Sequence, residues 1–142
     1  MKKLLILLWV AIPTISFSQS PAKQDTTKPN AAKEFKAGEY TMKQYYFVML
    51  LKGARRNEIT DTAIINKLQK GHMDNMGKLA AQGKLIVAGP FGDDGNWRGI
   101  FIMDADSKEE VEALLKTDPA IAAGRMDYEI HPWWTAKNAV FK

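Results

Sequence analysis

Apolar and polar residues follow one another in blocks along the chain, and the period of each block predicts a secondary-structure element. Residues 45–52 form an apolar run, rich in aromatic and branched side chains, which predicts a strand with both faces covered. After a charged segment, apolar residues recur at helical spacing, and we expect this helix to end at Gly83. Its inward stripe comprises Ile65, Leu68, His72, Met76 and Leu79.

Two more strands are predicted after this helix. Residues 84–91 form an apolar run that Gly89 and Pro90 terminate. A turn rich in glycine and aspartate leads from there into the next apolar run, 97–105. The short turn between them predicts that these two strands are neighbours and antiparallel.

A second helix and a fourth strand complete the pattern. Ser107 and Glu110 have the spacing of a capping box, which marks the start of a helix. That helix must stop before Pro119, because proline lacks the backbone N–H that a helix interior needs. Residues 126–134 then predict a strand, which we expect Pro132 to close.

The predicted order is β-α-β-β-α-β, the ferredoxin-like α+β arrangement, with four antiparallel strands and both helices on one face of the sheet. Residues 45–52 and 100–103 are apolar at successive positions, so both faces of the sheet are apolar. An uncovered apolar face of that size exceeds what a soluble monomer usually exposes. We therefore predict a homodimer that packs sheet against sheet.

The first eighteen residues have the features of a secretory signal peptide. Lys2 and Lys3 form a basic start, an apolar run of ten residues follows, and small residues precede Gln19. A retained membrane anchor needs about twenty apolar residues, and here Pro13 and Thr14 interrupt the run. The sequence predicts a cleaved signal at 1–18, a periplasmic or secreted protein, and no membrane association after signal removal.

The rest of the chain divides into three parts. Residues 19–42 are polar, contain Pro21 and Pro29, and show no sustained period, which predicts a flexible tether. Residues 43–137 hold all the predicted elements and form one α+β domain, as 142 residues of ordinary composition allow. Residues 138–142 form a C-terminal tail.

Charge and cysteine content exclude several classes of protein. Removal of the signal takes away Lys2 and Lys3 and lowers the formal net charge from +4 to +2. The remaining lysines are interspersed with acidic residues and form no basic stripe, so no nucleic-acid partner is expected. With no cysteine, the chain forms no disulfide, has no thiolate nucleophile and carries no lipid on a modified cysteine.

The motifs of common cofactors and metals are also missing. Two histidines, no cysteine and no HxxxH spacing predict no metal site. The chain has no GxGxxG, no GxxxxGK[ST] and no serine elbow, so neither a nucleotide cofactor nor an acyl-enzyme is expected. We predict that the protein uses no cofactor and that its partner is a small molecule.

Four residues near the predicted turn between the second and third strands are candidates for binding that small molecule. Gly89 and Pro90 could let the backbone approach a ligand, with Phe91 as a wall, although a turn that ends a strand explains them equally well. Arg98 could hold an anionic group, or it could be a solvated residue at the start of a strand.

His72 is the candidate for chemistry, because it lies on the apolar stripe of the first helix. A neutral imidazole with one nitrogen bonded to a carboxylate keeps the other nitrogen for taking or giving a proton. The alternative is a core histidine satisfied by one hydrogen bond. Asp118, just before Pro119, has an equally ordinary explanation as the N-cap of a short helical turn.

The chain resembles the YCII-related (YciI-like) family from about residue 45 to 134. The resemblance rests on "YYFVMLLKG", "HMDNMGKLAAQGKLIVAGPFGDDGNWRGIFIMDADS" and "TDPAIAAGRMDYEIHPWW", taken in that order. It implies a dimeric α+β barrel, the architecture also found in muconolactone-isomerase-like enzymes. The signal and tether are departures, because many members of the family look cytoplasmic and begin at the first strand.

The family resemblance also implies a site. It assigns His72 and Asp118, the aspartate of the family's "DP" motif, to an acid–base pair that acts on a small molecule. A carboxylate that caps a helix still has lone pairs for an imidazole, so the two roles of Asp118 are compatible. The expected function is that of a lyase or isomerase. The alternative is a noncatalytic homodimer that binds a small ligand, with His72 as a hydrogen-bond partner only.

Overall fold

A computed structural model of the chain describes residues 33–140. Its elements, in chain order, are β1 (Glu34–Ala37), β2 (Tyr40–Lys52), α1 (Thr62–Ala81), β3 (Leu85–Pro90), β4 (Trp97–Met103), α2 (Lys108–Leu115), α3 (Pro119–Ala122) and β5 (Met126–Ala136). Within this part of the chain, no helix is both long enough and apolar enough to cross a membrane. The predicted signal peptide, residues 19–32 of the predicted tether and the last two residues of the tail lie outside the described residues.

All strand pairings are antiparallel, and β2 is the centre of the sheet. β5 pairs with one edge of β2 over Met42–Lys52, and β4 and then β3 extend the sheet from the other edge. The four long strands therefore have the order β5-β2-β4-β3, which is the ferredoxin-like arrangement. The predicted α+β fold is confirmed.

The core lies between the sheet and the helices. Alternate side chains of β2, namely Tyr46, Val48 and Leu50, point toward the helices and join one buried cluster. Leu79 of α1 and Leu115 of α2 are in the same cluster, so both helices cover the same face of the sheet. Burial of each such side chain stabilises the fold by about 1.5 to 3 kcal/mol.

The other face of the sheet carries no helix among the described residues. We call it the open face, and its apolar members are Tyr45, Phe47, Met49, Ile100, Ile102 and Trp133. Cross-strand register places Phe47 opposite Ile102 and Met49 opposite Ile100. Trp133 is 41% exposed and packs edge-on against Phe47, with ring centroids 6.4 Å apart. The predicted apolar character of both faces is confirmed, and the homodimer remains a prediction.

The N-terminal side of the sheet differs from the prediction. Residues 34–42 are not part of a tether, because β1 forms a hairpin with β2, and β2 begins at Tyr40 rather than at residue 45. Gly38, with a φ of 60°, supplies the left-handed conformation that the two-residue turn requires. Phe35 packs edge-on against Trp134 of β5 at 5.0 Å between ring centroids, which fixes this hairpin to the sheet.

The C-terminal end of the sheet also differs from the prediction. Pro132 does not close the last strand, because β5 continues to Ala136. Among residues 33–140, β5 pairs only with β2, so its other edge is unpaired and tolerates a residue without a backbone N–H.

Candidate functional site

A cavity of about 500 Å³ lies between α1 and the sheet, on the helix-covered face. The loop after β2, the end of β3 and the start of β4 form its rim. Much of its wall is apolar, with Leu50, Met73, Met76 and Phe101 among the lining residues. A volume of this size is in the range of small-molecule sites.

His72 stands in the wall of this cavity, in the middle of α1. The helical stripe that predicted its inward orientation is borne out, since His72 and Leu79 are the buried residues of α1. The imidazole stacks on Phe101, with ring centroids 6.0 Å apart and 15° between the planes. His72 is 8% exposed, so its ring nitrogens need partners or access to the cavity.

Asp118 supplies the partner of one ring nitrogen. His72 Nδ1 and Asp118 Oδ2 are 2.6 Å apart, as predicted, and the carboxylate is 1% exposed. An ionised carboxylate can only accept, so Nδ1–H of His72 is the donor. Nε2 has no hydrogen-bond partner among residues 33–140. Every fully buried side-chain nitrogen or oxygen in this part of the chain has a partner, so Nε2 is not fully buried. Nε2 is therefore accessible from the cavity.

The second oxygen of Asp118 explains how the carboxylate is held. Oδ1 accepts a hydrogen bond of 2.8 Å from the backbone N–H of Ala120, which makes Asp118 the N-cap of α3, with Pro119 in the first turn. Asp118 therefore has both of the contacts expected from the sequence. Oδ2 bonds to His72, and Oδ1 caps the short helix α3. A cap fixed in this way gives the imidazole an acceptor that cannot rotate away.

Gly71, which the sequence interpretation overlooked, allows α1 to reach the Asp118 turn. A Cβ atom at Gly71 would lie 2.8 Å from Cγ of Pro119, closer than two carbon atoms pack. Near this contact, the hydroxyl of Thr117 donates to Oδ1 of Asn75 at 3.0 Å. The available signal was a glycine inside a helical pattern, directly before the histidine, since such a glycine costs about 1 kcal/mol and implies a close contact.

The binding residues predicted near the turn have mixed outcomes. Gly89, Pro90 and Arg98 line the cavity. Phe91 does not form a wall of it: β3 ends at Pro90, and the ring of Phe91 lies beyond the strand against Trp97, with ring centroids 6.3 Å apart. Whether any of these residues binds a ligand remains a prediction.

Arg56 also lines the cavity and was missed. It lies in the loop after β2, where a run of charged residues gives no periodic signal. The backbone carbonyl of Arg56 accepts a hydrogen bond of 3.2 Å from Arg125, which also donates to the carbonyl of Ile59 at 3.1 Å. Burial, followed by the nearby charges of Arg125 and Arg98, lowers the pKa of Arg56.

Comparison with known proteins adds a family to this geometry. The family model described as the YCII-related domain matches residues 46–134, which is more than half of the chain. The chain belongs to the YCII-related family. The protein YjpA of Bacillus subtilis (strain 168), named as uncharacterized, is 33% identical over 63 residues, which cover 44% of this chain and 72% of YjpA.

A solved structure also aligns with this YCII-related chain. It is 5-chloro-2-hydroxyhydroquinone dehydrochlorinase (TftG) from Burkholderia phenoliruptrix AC1100, in complex with 2,5-dihydroxybenzoquinone. The alignment covers 62% of this chain and 92% of TftG, with a TM-score of 0.44 and 24% sequence identity.

The arrangement in the YCII-related domain limits the chemistry that its own side chains can perform. Within residues 33–140, no group of three or more histidine, cysteine or acidic residues is placed to hold a metal ion. His72 is the titratable group that combines a fixed carboxylate partner with a nitrogen open to the cavity. Such an imidazole can accept a proton from a bound molecule, or donate one to it, in the manner of a general base or acid.

Proposed function

We propose that this chain is an exported YCII-related enzyme that performs acid–base chemistry of the lyase or isomerase type on a small molecule. His72 takes and returns the proton, and Asp118 orients it. The observation that supports this proposal most is the buried 2.6 Å hydrogen bond between His72 Nδ1 and Asp118 Oδ2, beside a cavity that Nε2 can reach.

The proposed step begins with a substrate whose C–H bond lies next to a carbonyl group. Nε2 of His72 takes that proton, and the electron pair of the C–H bond moves into the neighbouring bond. In an isomerisation, the imidazolium returns the proton to another carbon; in an elimination, the electron pair expels a leaving group and the proton is released. Asp118 stabilises the imidazolium formed in either case.

Two further parts of the proposal come from the sequence. We propose that the protein is a homodimer joined through the open face, since no helix covers this face among the described residues and Trp133 on it is 41% exposed. We also propose that export removes residues 1–18. Intact mass spectrometry of the exported protein tests the removal of residues 1–18. We expect the mature chain to begin within about two residues of Gln19.

The experiment for the catalytic part starts with a ligand search. A thermal-shift screen of small carbonyl compounds with the mature protein selects those that stabilise it. Each stabilising compound is then incubated with the protein in D2O, and proton NMR follows the exchange of its C–H groups. We expect the wild-type protein to exchange a C–H next to the carbonyl.

His72→Asn is the decisive variant, because the asparagine amide can still donate to Asp118 but offers no nitrogen in the position of Nε2. We expect exchange to fall by about 10²- to 10⁴-fold, the usual contribution of a general base, while ligand stabilisation persists. The alternative function, a noncatalytic ligand-binding homodimer, predicts no exchange in the wild type and only weaker binding in the variant.

A further inference from the structure

The cavity beside His72 carries an excess of positive charge. Arg56 and Arg98 both line it, and no acidic residue of the described part of the chain does so. Asp118 lies behind the imidazole of His72, where its two oxygens are already bonded. A molecule that enters the cavity therefore meets two arginines, of which Arg98 is already paired with Asp94 outside the cavity wall.

Arg56 differs from the arginines around it, because its guanidinium has no hydrogen bond or ion pair with any residue in 33–140. Arg55 pairs with Glu58 at 3.1 Å, and Arg98 pairs with Asp94 at 2.9 Å. Arg125 donates to two backbone carbonyls. Leaving a partly buried cation unpaired is unfavourable, and a bound anion would compensate for it.

The electrostatic surroundings of Arg56 agree with this difference. Burial and the like charges of Arg125 and Arg98 lower the pKa of Arg56, and Asp94 opposes them as the weakest of the causes. The side chain of Asp94 is 86% exposed and is already shared between Arg98 and Lys52. Arg56 is therefore placed where an added negative charge is favoured.

The backbone that carries Arg56 is fixed rather than loose. Gly53, at the start of the loop, packs so closely on the turn before β5 that a Cβ atom there would lie 2.3 Å from the carbonyl oxygen of Gly124. Arg125 then holds the carbonyl of Arg56 by a hydrogen bond of 3.2 Å. The backbone at Arg56 therefore needs no ordering when a ligand binds, and only the side chain has to be ordered.

We infer that the cavity binds a small organic acid, with its carboxylate held by Arg56 and its apolar body against Met73, Met76 and Phe101. This inference rests on the proposed function, because it names the substrate class of the same site. A guanidinium matches a carboxylate through two parallel hydrogen bonds and so orients the molecule as well as attracting it. The carbon to be deprotonated then lies toward Nε2 of His72.

The test compares acids with their neutral amides. Benzoate, phenylacetate and 2-oxobutyrate are titrated into the mature protein by calorimetry, each beside the amide of the same skeleton. We expect at least one acid to bind at least tenfold more tightly than its amide, which corresponds to about 1.4 kcal/mol. If the protein is folded and binds the amides, but no acid binds better than its amide, the inference is overturned.

Two variants locate the preference. Arg56→Gln removes the charge but keeps the backbone carbonyl that Arg125 bonds, and we expect the preference for the acid to disappear. Arg55→Gln is the matched control, since Arg55 is the exposed neighbour that does not line the cavity, and it should keep the preference. If Arg56→Gln proves unstable, Arg56→Lys keeps the charge but cannot form two parallel hydrogen bonds, so the preference should fall, and an undiminished preference would contradict the assignment. An unchanged preference in Arg56→Gln contradicts the assignment.

Failure of this inference is distinguishable from failure of the proposed function. His72→Asn leaves both arginines in place, so it should still bind the acid while proton exchange is lost. Acid binding through Arg56 without any His72-dependent exchange would overturn the proposed function and leave the inference intact. If His72-dependent exchange occurs on neutral compounds only, the proposed function stands and the inference about acid binding is overturned.

Discussion

The two faces of the sheet differ in the side chains that they carry. The helix-covered face includes a buried histidine and a buried aspartate that bond to each other beside a cavity with two arginines. The open face is lined along its centre by aromatic and aliphatic side chains, among them Phe47 and Ile102. An apolar pair would stabilise the fold as well as this polar pair does, which is a reason for the proposed acid–base role. The open face has no helix over it among the described residues, which is the reason for the proposed homodimer.

The largest effect is expected from a charge placed on the open face. Phe47→Lys puts a lysine on the central strand of that face in both copies of a homodimer, and each buried charge costs several kcal/mol. We predict that association weakens by more than about 10³-fold while the monomer stays folded, as measured by sedimentation over a range of concentrations.

The matched control for this change lies on the other side of the molecule. Ile64 of α1 is 49% exposed, so Ile64→Lys introduces the same charge on the outer surface of the helix layer. It should leave the dimer intact. A wild-type protein that sediments as a stable monomer would remove the proposed role of the open face.

The next largest effect is expected at the polar pair of the helix-covered face. Asp118→Ala removes the cap of α3 and leaves Nδ1–H of His72 without an acceptor. The lost cap costs about 1 kcal/mol and the unpaired donor about 1 to 3, so we predict that the free energy of unfolding falls by about 2 to 4 kcal/mol.

Urea unfolding at a fixed protein concentration measures this loss, and Asp74→Ala is its control. Asp74 is an exposed residue of α1 that pairs with Lys70 at 2.6 Å, and its removal should change the free energy of unfolding by less than about 0.5 kcal/mol. Equal effects of the two substitutions would mean that Asp118 has no special structural role.

A smaller effect separates two glycines of the same helix. A Cβ atom at Gly71 would collide with Pro119, whereas nothing lies within 4 Å of one at Gly77. Gly77→Ala should therefore stabilise the protein by about 0.5 to 1 kcal/mol through helix propensity alone. Gly71→Ala should lose that gain to overpacking and destabilise the protein by about 1 to 2 kcal/mol. Thermal unfolding of the two variants compares them directly, and stabilisation by both would show that α1 and α3 need no close contact.

The sequence predicted those parts of the fold that depend on regular periods. The stripe on α1 located His72 on the inward face, and the capping box placed the start of α2, where Ser107 Oγ accepts from the N–H of Glu110 at 3.1 Å. β1 was missed because it is only four residues long, and the alternation in EFKA is too short to stand out from the polar segment before it. The extension of β5 beyond Pro132 depends on a free sheet edge, which only the pairing of the strands reveals.

The site was predictable only in part. Asp118 is 46 residues from His72 in the chain, and the family resemblance, rather than any spacing, connected the two. Arg56 could not be found in the same way, because its position depends on the backbone contact between Gly53 and Gly124, which is a tertiary feature. Phe91 was assigned to the cavity on its proximity to Gly89 and Pro90, but the strand ends before it.

The most direct test of the central claim is the protonation state of the two ring nitrogens of His72, measured by nitrogen-15 NMR. It needs no substrate, and the chain has only two histidines, with His131 as an exposed internal reference. At a pH where the ring is neutral, we predict a hydrogen on Nδ1 and a free lone pair on Nε2, and a loss of this preference in Asp118→Ala. A hydrogen on Nε2 of the neutral ring would contradict the account, because the nitrogen facing the cavity could not then accept a proton.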